Sequence, residues 1–170
     1  MEDPTIHEFL HIIASLPEPY KTKVQTMWDI FGDDFQIMPA SNRFHSNFPG
    51  GLLVHTVWTI RIAKFMYKRF KAMDSDLGQG LDFKLDEAIF ILVLHDFGKI
   101  YEQTITPYRD HVTWIGEMLN KAKIGLTEKQ AHAILHHHGG YGVKGSPPTK
   151  LSTFVHTCDN WASMFLETVV

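Results

Sequence analysis

Seven consecutive apolar residues, Ala88 to Leu94, run straight into a histidine and an aspartate, and a lysine follows two residues later, after Phe97-Gly98. A helix that is apolar on every face has to be surrounded by other elements. This stretch is therefore expected to be the central helix, over about Leu85 to Asp96, with the rest of the chain as its shell. Neighbouring helical residues project about 100° apart. His95 and Asp96 cannot then line one small pocket symmetrically, yet both can reach a metal ion lying at the helix end. Read alone, the pair favours a plainer account, a hydrogen-bonded core histidine beside a solvated aspartate. Other polar residues in the chain change that balance.

The surrounding sequence repeats at helical spacing. Ile6, Phe9, Leu10 and Ile13 mark a first helix stopped at Leu16-Pro17-Glu18-Pro19, because proline disfavours helical geometry in the residue before it. Tyr20, Val24, Met27, Trp28 and Phe31 mark a second, with Gly32 as its stop. From Asp33 to Gly50 the period is lost in an aromatic, proline-bearing connection that contains Arg43 and His45. A third helix is expected from near Gly51 to about Ala72, with Leu53, Val57, Ile60 and Ala63 on one stripe and Trp58, Ile62 and Phe65 on another. Apolar on two sides, it is predicted to be largely buried.

Beyond it, Asp74 to Asp82 reads as an exposed loop and Tyr101 to Asp110 as a turn region. Further helices are expected at about His111 to Ala122, from the capping box Thr127-Glu128-Lys129-Gln130 to His136-His137-His138, and at about Lys150 to Leu166. Tyr141 to Pro148, rich in glycine and proline, is the candidate for a lid. No stretch alternates as a strand would, so the fold class is all-α.

Composition narrows the function classes. One cysteine, Cys158, excludes an internal disulfide and fits a reducing compartment. No basic and apolar leader and no run of about 18 apolar residues is present, so a cytoplasmic protein away from membranes is expected. The net charge of −3, with Lys and Arg scattered, argues against a broad basic face for extended duplex nucleic acid. A small anionic substrate gripped locally stays open. The eleven histidines are not a tract. His55, His95-Asp96, His111, His137-His138 and Asp159 interrupt separate apolar helices, and a buried aspartate is costly unless it is paired or coordinating. A single site assembled in space is the common explanation.

With these residues in place, the chain resembles the HD-domain phosphohydrolases, whose pattern is H…HD…H…H…D across a helical bundle. Within that superfamily it is most similar to the HD module of bacterial 3′-5′ exoribonucleases that also carry an OB-fold. The segments that carry the likeness are Pro39-Ala40, His45, Gly50 to Thr56, His95 to Lys99, His137-His138-Gly139, Gly145-Ser146-Pro147 and Asp159-Asn160. The resemblance implies a compact HD-type bundle over residues 1–170, with 1–34 as helical scaffold and 35–166 as the HD core. No OB-fold is expected beside it. It also implies one metal held by His55, His95, Asp96 and Asp159, and a second held by His111, His137 and His138 with Asp96 as the bridge.

Imidazole and carboxylate ligands suit Mn, Fe, Co, Ni or Zn better than Ca. Metal-activated water would attack phosphorus in line, with Lys99 neutralising the phosphoryl oxygens and Asp96 at the centre of the chemistry. Arg43 and Lys144 are candidates for phosphate contacts, and Tyr141 for stacking a base. The expected activity is hydrolysis of a nucleotide or short oligonucleotide, a small phosphorylated substrate. The alternatives are a 3′-5′ exonuclease or phosphodiesterase that gains its grip on a strand from a partner or from homo-oligomer formation, a non-catalytic nucleotide-sensing module, and, least favoured, two-iron oxygenase chemistry.

Overall fold

The computed structural model describes residues 4–41, 45–77, 80–104, 111–138 and 148–167. Among them are eight helices and no strand: α1 Pro4–Ser15, α2 Tyr20–Phe35, α3 Gly51–Leu77, α4 Leu85–Leu94, α5 Lys99–Thr104, α6 His111–Lys121, α7 Glu128–Leu135 and α8 Lys150–Glu167. The all-α expectation holds. Arg43, Tyr141 and Lys144, and residues 141–147 of the expected lid, lie outside the described residues.

α4 is the axis of the bundle, packed by α2, α3, α7 and α8, and Ala88 to Leu94 are all buried. It stops at Leu94 rather than Asp96. His95, Asp96, Phe97 and Gly98 form a tight turn, with Phe97 N–H donating to Leu94 O (3.1 Å) and Lys99 N–H to Asp96 O (3.0 Å), and α5 starts at once. The region expected to be irregular from Tyr101 thus begins in a helix.

Phe97 pins this turn. Its ring is fully buried and stacks on Phe35 of α2 at 4.3 Å, and Phe35 in turn stacks on Phe9 of α1. Emptying such a position costs about 3–5 kcal/mol. The N-terminal helices therefore support the His-Asp turn, and their buried residues belong to one apolar cluster with those of α3 to α8.

Two glycines set backbones close together. A Cβ at Gly98 would lie 1.9 Å from His111 O, so the bare glycine lets the first turn of α6 sit against the turn after α4. A Cβ at Gly51 would lie 1.9 Å from Ser46 O, and Gly50 has φ +82°, which favours glycine. Together they let Ile37, Met38 and Ser46 sit against the start of α3. Gly32 does not stop α2, which continues to Phe35; its lack of a side chain leaves room for the Trp28 indole, 2.8 Å from where a Cβ would be.

α3 also differs from expectation. It continues to Leu77, five residues past the expected end, and two of the three residues of its second apolar stripe are exposed, Trp58 to 39% and Phe65 to 58%, while Ile62 packs half-buried against the core. The capping box forms as expected, Thr127 Oγ1 accepting from Gln130 N–H and the Gln130 side chain from Thr127 N–H. No helix among the described residues is long and apolar enough to cross a membrane.

Candidate metal centre

Five elements deliver seven side chains to one place. His55 comes from the second turn of α3, His95 and Asp96 from the turn after α4, His111 from the first residue of α6, His137 and His138 from the turn after α7, and Asp159 from the middle of α8. They form two groups. In each, the ligand-type atoms lie within 4.8 Å of one another: His55, His95, Asp96 and Asp159 in the first, His111, His137 and His138 in the second. The pairing is the one that the resemblance implies.

In the first group His55 Nε2 stands 2.9 Å from Asp159 Oδ1 and 3.5 Å from Asp96 Oδ2, and His95 Nε2 stands 3.3 Å from Asp96 Oδ2 and 3.6 Å from Asp159 Oδ1. Ligands about 2.1 Å from an ion are separated by about 3 to 4.2 Å, so these spacings suit a shared cation. His95 Nδ1–H donates to Leu92 O at 2.7 Å, which leaves the Nε2 lone pair facing the carboxylates, buried and with no hydrogen-bond partner. A buried orphan nitrogen beside two buried carboxylates is what a bound ion would satisfy.

The second group is built from imidazoles whose outer nitrogens are engaged. His111 Nδ1–H donates to Glu102 Oε2 (3.0 Å) and His137 Nδ1–H to Ile134 O (2.6 Å). Their Nε2 atoms then face each other at 3.1 Å with lone pairs on both. Such lone pairs repel unless a cation stands between or beside them. The His138 ring lies 4.1 Å from that of His137 and 4.7 Å from that of His111.

Asp96 connects the groups with its two oxygens. Oδ2 faces the first, and Oδ1 is 3.4 Å from His111 Nε2 and 3.9 Å from His137 Nε2. Lys99 Nζ bonds Asp96 Oδ2 at 2.7 Å, so the lysine is at the centre but already paired with a ligand.

Electrostatics agree with cation binding. Burial would raise the Asp96 carboxyl, but His95, Lys99, His111 and His55 hold it well below the usual carboxylate range. Asp159 is likewise held well below that range, its hydrogen bond with His55 and the nearness of His95 overcoming burial. Burial would lower His95, yet Asp96 and Asp159 raise it above an ordinary imidazole; a position that attracts a proton attracts a divalent cation for the same reason. His137 is pushed well below its ordinary value by burial and by its histidine neighbours, which keeps its lone pair free.

Several contributors had no signal in the sequence. Glu102 orients His111 from α5, a helix that the sequence reading left irregular. His156 Nδ1–H donates to His137 O at 2.7 Å, tying the turn after α7 to α8. Thr59 Oγ1 donates to His55 O and lies 3.5 Å from His55 Nε2. His45, to which the sequence assigns no role, packs its ring against that of His55, tilted by 36° with centroids 4.9 Å apart, and burial pushes its pKa down to about 4. His132 and His136 pair with each other at 4.1 Å, outside both groups.

Comparison with known proteins agrees with this geometry. Residues 52–164 match the HD domain family. The chain is similar to a 3′-5′ exoribonuclease YhaM of Bacillus pumilus (strain SAFR-032), 28% identical over 148 residues, covering 76% of this chain and 44% of that protein. It is similar to the YhaM of Bacillus subtilis (strain 168), 28% identical over 145 residues, covering 75% and 43%. The chain thus spans less than half the length of these curated relatives. No solved structure matches it. With the family match running from the turn before His55 past Asp159 and enclosing all seven side chains of the centre, the chain belongs to the HD domain family.

Proposed function

We propose that the protein is a metal-dependent phosphohydrolase that cleaves phosphoester or phosphoanhydride bonds of a nucleotide or short oligonucleotide. One observation carries the reading: Asp96, buried at the end of the central helix, turns one oxygen to each of two ligand groups. In this reading His55, His95, Asp96 and Asp159 hold one divalent ion, and His111, His137, His138 and Asp96 hold another, chosen from Mn, Fe, Co, Ni or Zn. Bound there, such ions make water acidic enough to attack phosphorus near neutral pH and neutralise charge on the phosphoryl oxygens.

The chain's own residues do the positioning. Asp96 sets the separation of the two groups. The carbonyls of Leu92 and Ile134, together with Glu102, keep three imidazole lone pairs aimed inward. Lys99, held by Asp96, places a positive charge where a phosphoryl group would develop negative charge. Asp159 and His138 are the two members with intermediate exposure, so among the described residues the centre meets solvent on their side. Arg43, Tyr141 and Lys144 are proposed as substrate contacts on sequence grounds alone.

A second reading, 3′-5′ exonuclease action on single-stranded RNA, is favoured by the name of the relatives, exoribonuclease. The same chemistry would serve both. We further propose that the chain acts as one HD-type unit in the cytoplasm, which suits its single buried thiol.

The test is elemental analysis of protein purified without added metal, followed by turnover of nucleotides, cyclic dinucleotides and short RNA with the ion found. Both groups should load in the wild type and neither in Asp96→Ala, with turnover falling to background. Absence of metal after reconstitution with Mn, Co, Fe or Zn would sink the reading.

A further inference from the structure

The outward face of α3 brings exposed aromatic rings and cations together. From Trp58 to Lys71 the helix carries Arg61, Lys64, Lys68, Arg69 and Lys71 and no acidic residue, in a chain whose net charge is −3. These cations are all exposed. Trp58, Arg61, Phe65 and the Lys68-Arg69 pair recur at spacings of three, four and three residues, so they form one stripe. The Arg61 guanidinium lies over the Trp58 ring at 5.4 Å and that of Arg69 over the Phe65 ring at 5.3 Å. Arg61 is engaged by Glu8 of α1, and Lys64 lies close enough to Glu8 to act on its charge. Lys68, Arg69 and Lys71 have no acidic partner among the described residues.

A merely solvated helix face needs cations but not exposed aromatic rings, which lose free energy in water. Rings beside cations, with Lys68 and Arg69 lacking an acidic partner among the described residues, match the chemistry of a strand of unpaired nucleotides, where bases stack on aromatic faces and phosphates meet Lys and Arg. Paired bases present no free face, so a duplex gains little from such a surface. Along the helix the stripe begins close to the centre. Trp58 is one turn from His55 on the same helix, and Arg69 lies about 21 Å from His55 along the axis at 1.5 Å per residue.

We infer that the exposed stripe of α3, with Trp58 and Phe65 as stacking rings and Lys68 and Arg69 as phosphate contacts, is a track for single-stranded nucleic acid leading from the metal centre. This deepens the proposed function by naming the partner, and rests on it for the destination of the strand.

The test is fluorescence anisotropy with a labelled single-stranded RNA of about twelve nucleotides, in EDTA so that no turnover occurs, across a salt series. Lys68→Ala with Arg69→Ala should lower the slope of log affinity against log salt by about 1.4, the share of two phosphate contacts on a single strand. Trp58→Ala and Phe65→Ala should each weaken binding about tenfold at fixed salt and leave the slope unchanged. All should turn over bis(p-nitrophenyl) phosphate with Mn as the wild type does. A charge-matched pair, Lys21→Ala with Lys84→Ala, should bind RNA normally.

The track is overturned if the Lys68/Arg69 pair behaves as the Lys21/Lys84 pair, if duplex RNA competes equally, or if the wild type binds phosphatidylserine vesicles and not RNA. The metal reading fails separately. Turnover that survives Asp96→Ala removes the reading while leaving RNA binding to stand, and RNA binding lost with small-substrate turnover intact removes the track alone.

Discussion

The two groups of ligand-type side chains would attract a cation in different ways. The first contains two carboxylates, both held well below the usual range, and its affinity comes from charge brought into a buried place. The second has no carboxylate of its own and relies on three imidazoles, of which His111 and His137 have their inner nitrogens aimed by hydrogen bonds to Glu102 and Ile134 O. Charge needs only proximity, whereas lone pairs need orientation. The first group should therefore tolerate small displacements and the second should not.

Removing a ligand from one side breaks this comparison most sharply. Asp159→Ala should cost the first group its ion by more than about a hundredfold in affinity, beyond what loss of an orienting partner does, and leave the second group loaded; His138→Ala should do the reverse. Metal titrations followed by isothermal calorimetry would separate the two. If either variant empties both groups, the sites are one coupled cluster.

Displacement without ligand loss comes next. Gly98→Ala puts a Cβ against His111 O, so α6 has to move and His111 loses its aim. Thermal melting should fall by about 5 °C, and metal analysis should find the second group depleted while the first stays filled. Equal occupancy would show that orientation matters less than argued. Glu102→Ala leaves the backbone in place and frees only the outer nitrogen of His111. The second group should weaken about 10- to 100-fold, with the first unchanged.

The smallest effect concerns Cys158, adjacent to Asp159. Burial pushes its thiol up to about 12, and its Sγ packs 4.0 Å from Met66 Sδ, so it offers no thiolate to either group. Cys158→Ala should leave metal content untouched and cost about 1 kcal/mol of stability, read by denaturant unfolding. A change in occupancy would mean that the first group uses sulfur.

Much of the centre was legible because its residues are anomalies in their local sequence. A histidine or carboxylate in an apolar helix is costly without a partner, so His55, His95, Asp96, His111, His137, His138 and Asp159, each weak alone, stand out as a set. The supporting groups are ordinary where they occur. Glu102 is an exposed-type glutamate in a short polar segment, and His156 sits three residues before Asp159 with nothing to tie it to His137. Carbonyl oxygens leave no trace in a residue pattern at all.

The same contrast explains α3. Periodicity identified two apolar stripes, Leu53-Val57-Ile60 and Trp58-Ile62-Phe65, but period alone cannot say which stripe finds a neighbour. Packing against α1, α4 and α8 covers the first and leaves Trp58 and Phe65 open beside Arg61 and Arg69. Five of the sixteen Lys and Arg of the chain lie on this stretch of one helix, Arg61 to Lys71.

By itself, the sequence determined the class of fold and the kinds of atoms available to a metal, because helical period and the cost of burying charge are properties of short stretches. Only the tertiary structure decided which lone pairs face inward, that Asp96 divides its oxygens between two groups, and which face of α3 stays in water. Those depend on distances between segments far apart in the chain, such as His55 to Asp159 and Gly98 to His111, and they are set by how helices pack, not by what each contains.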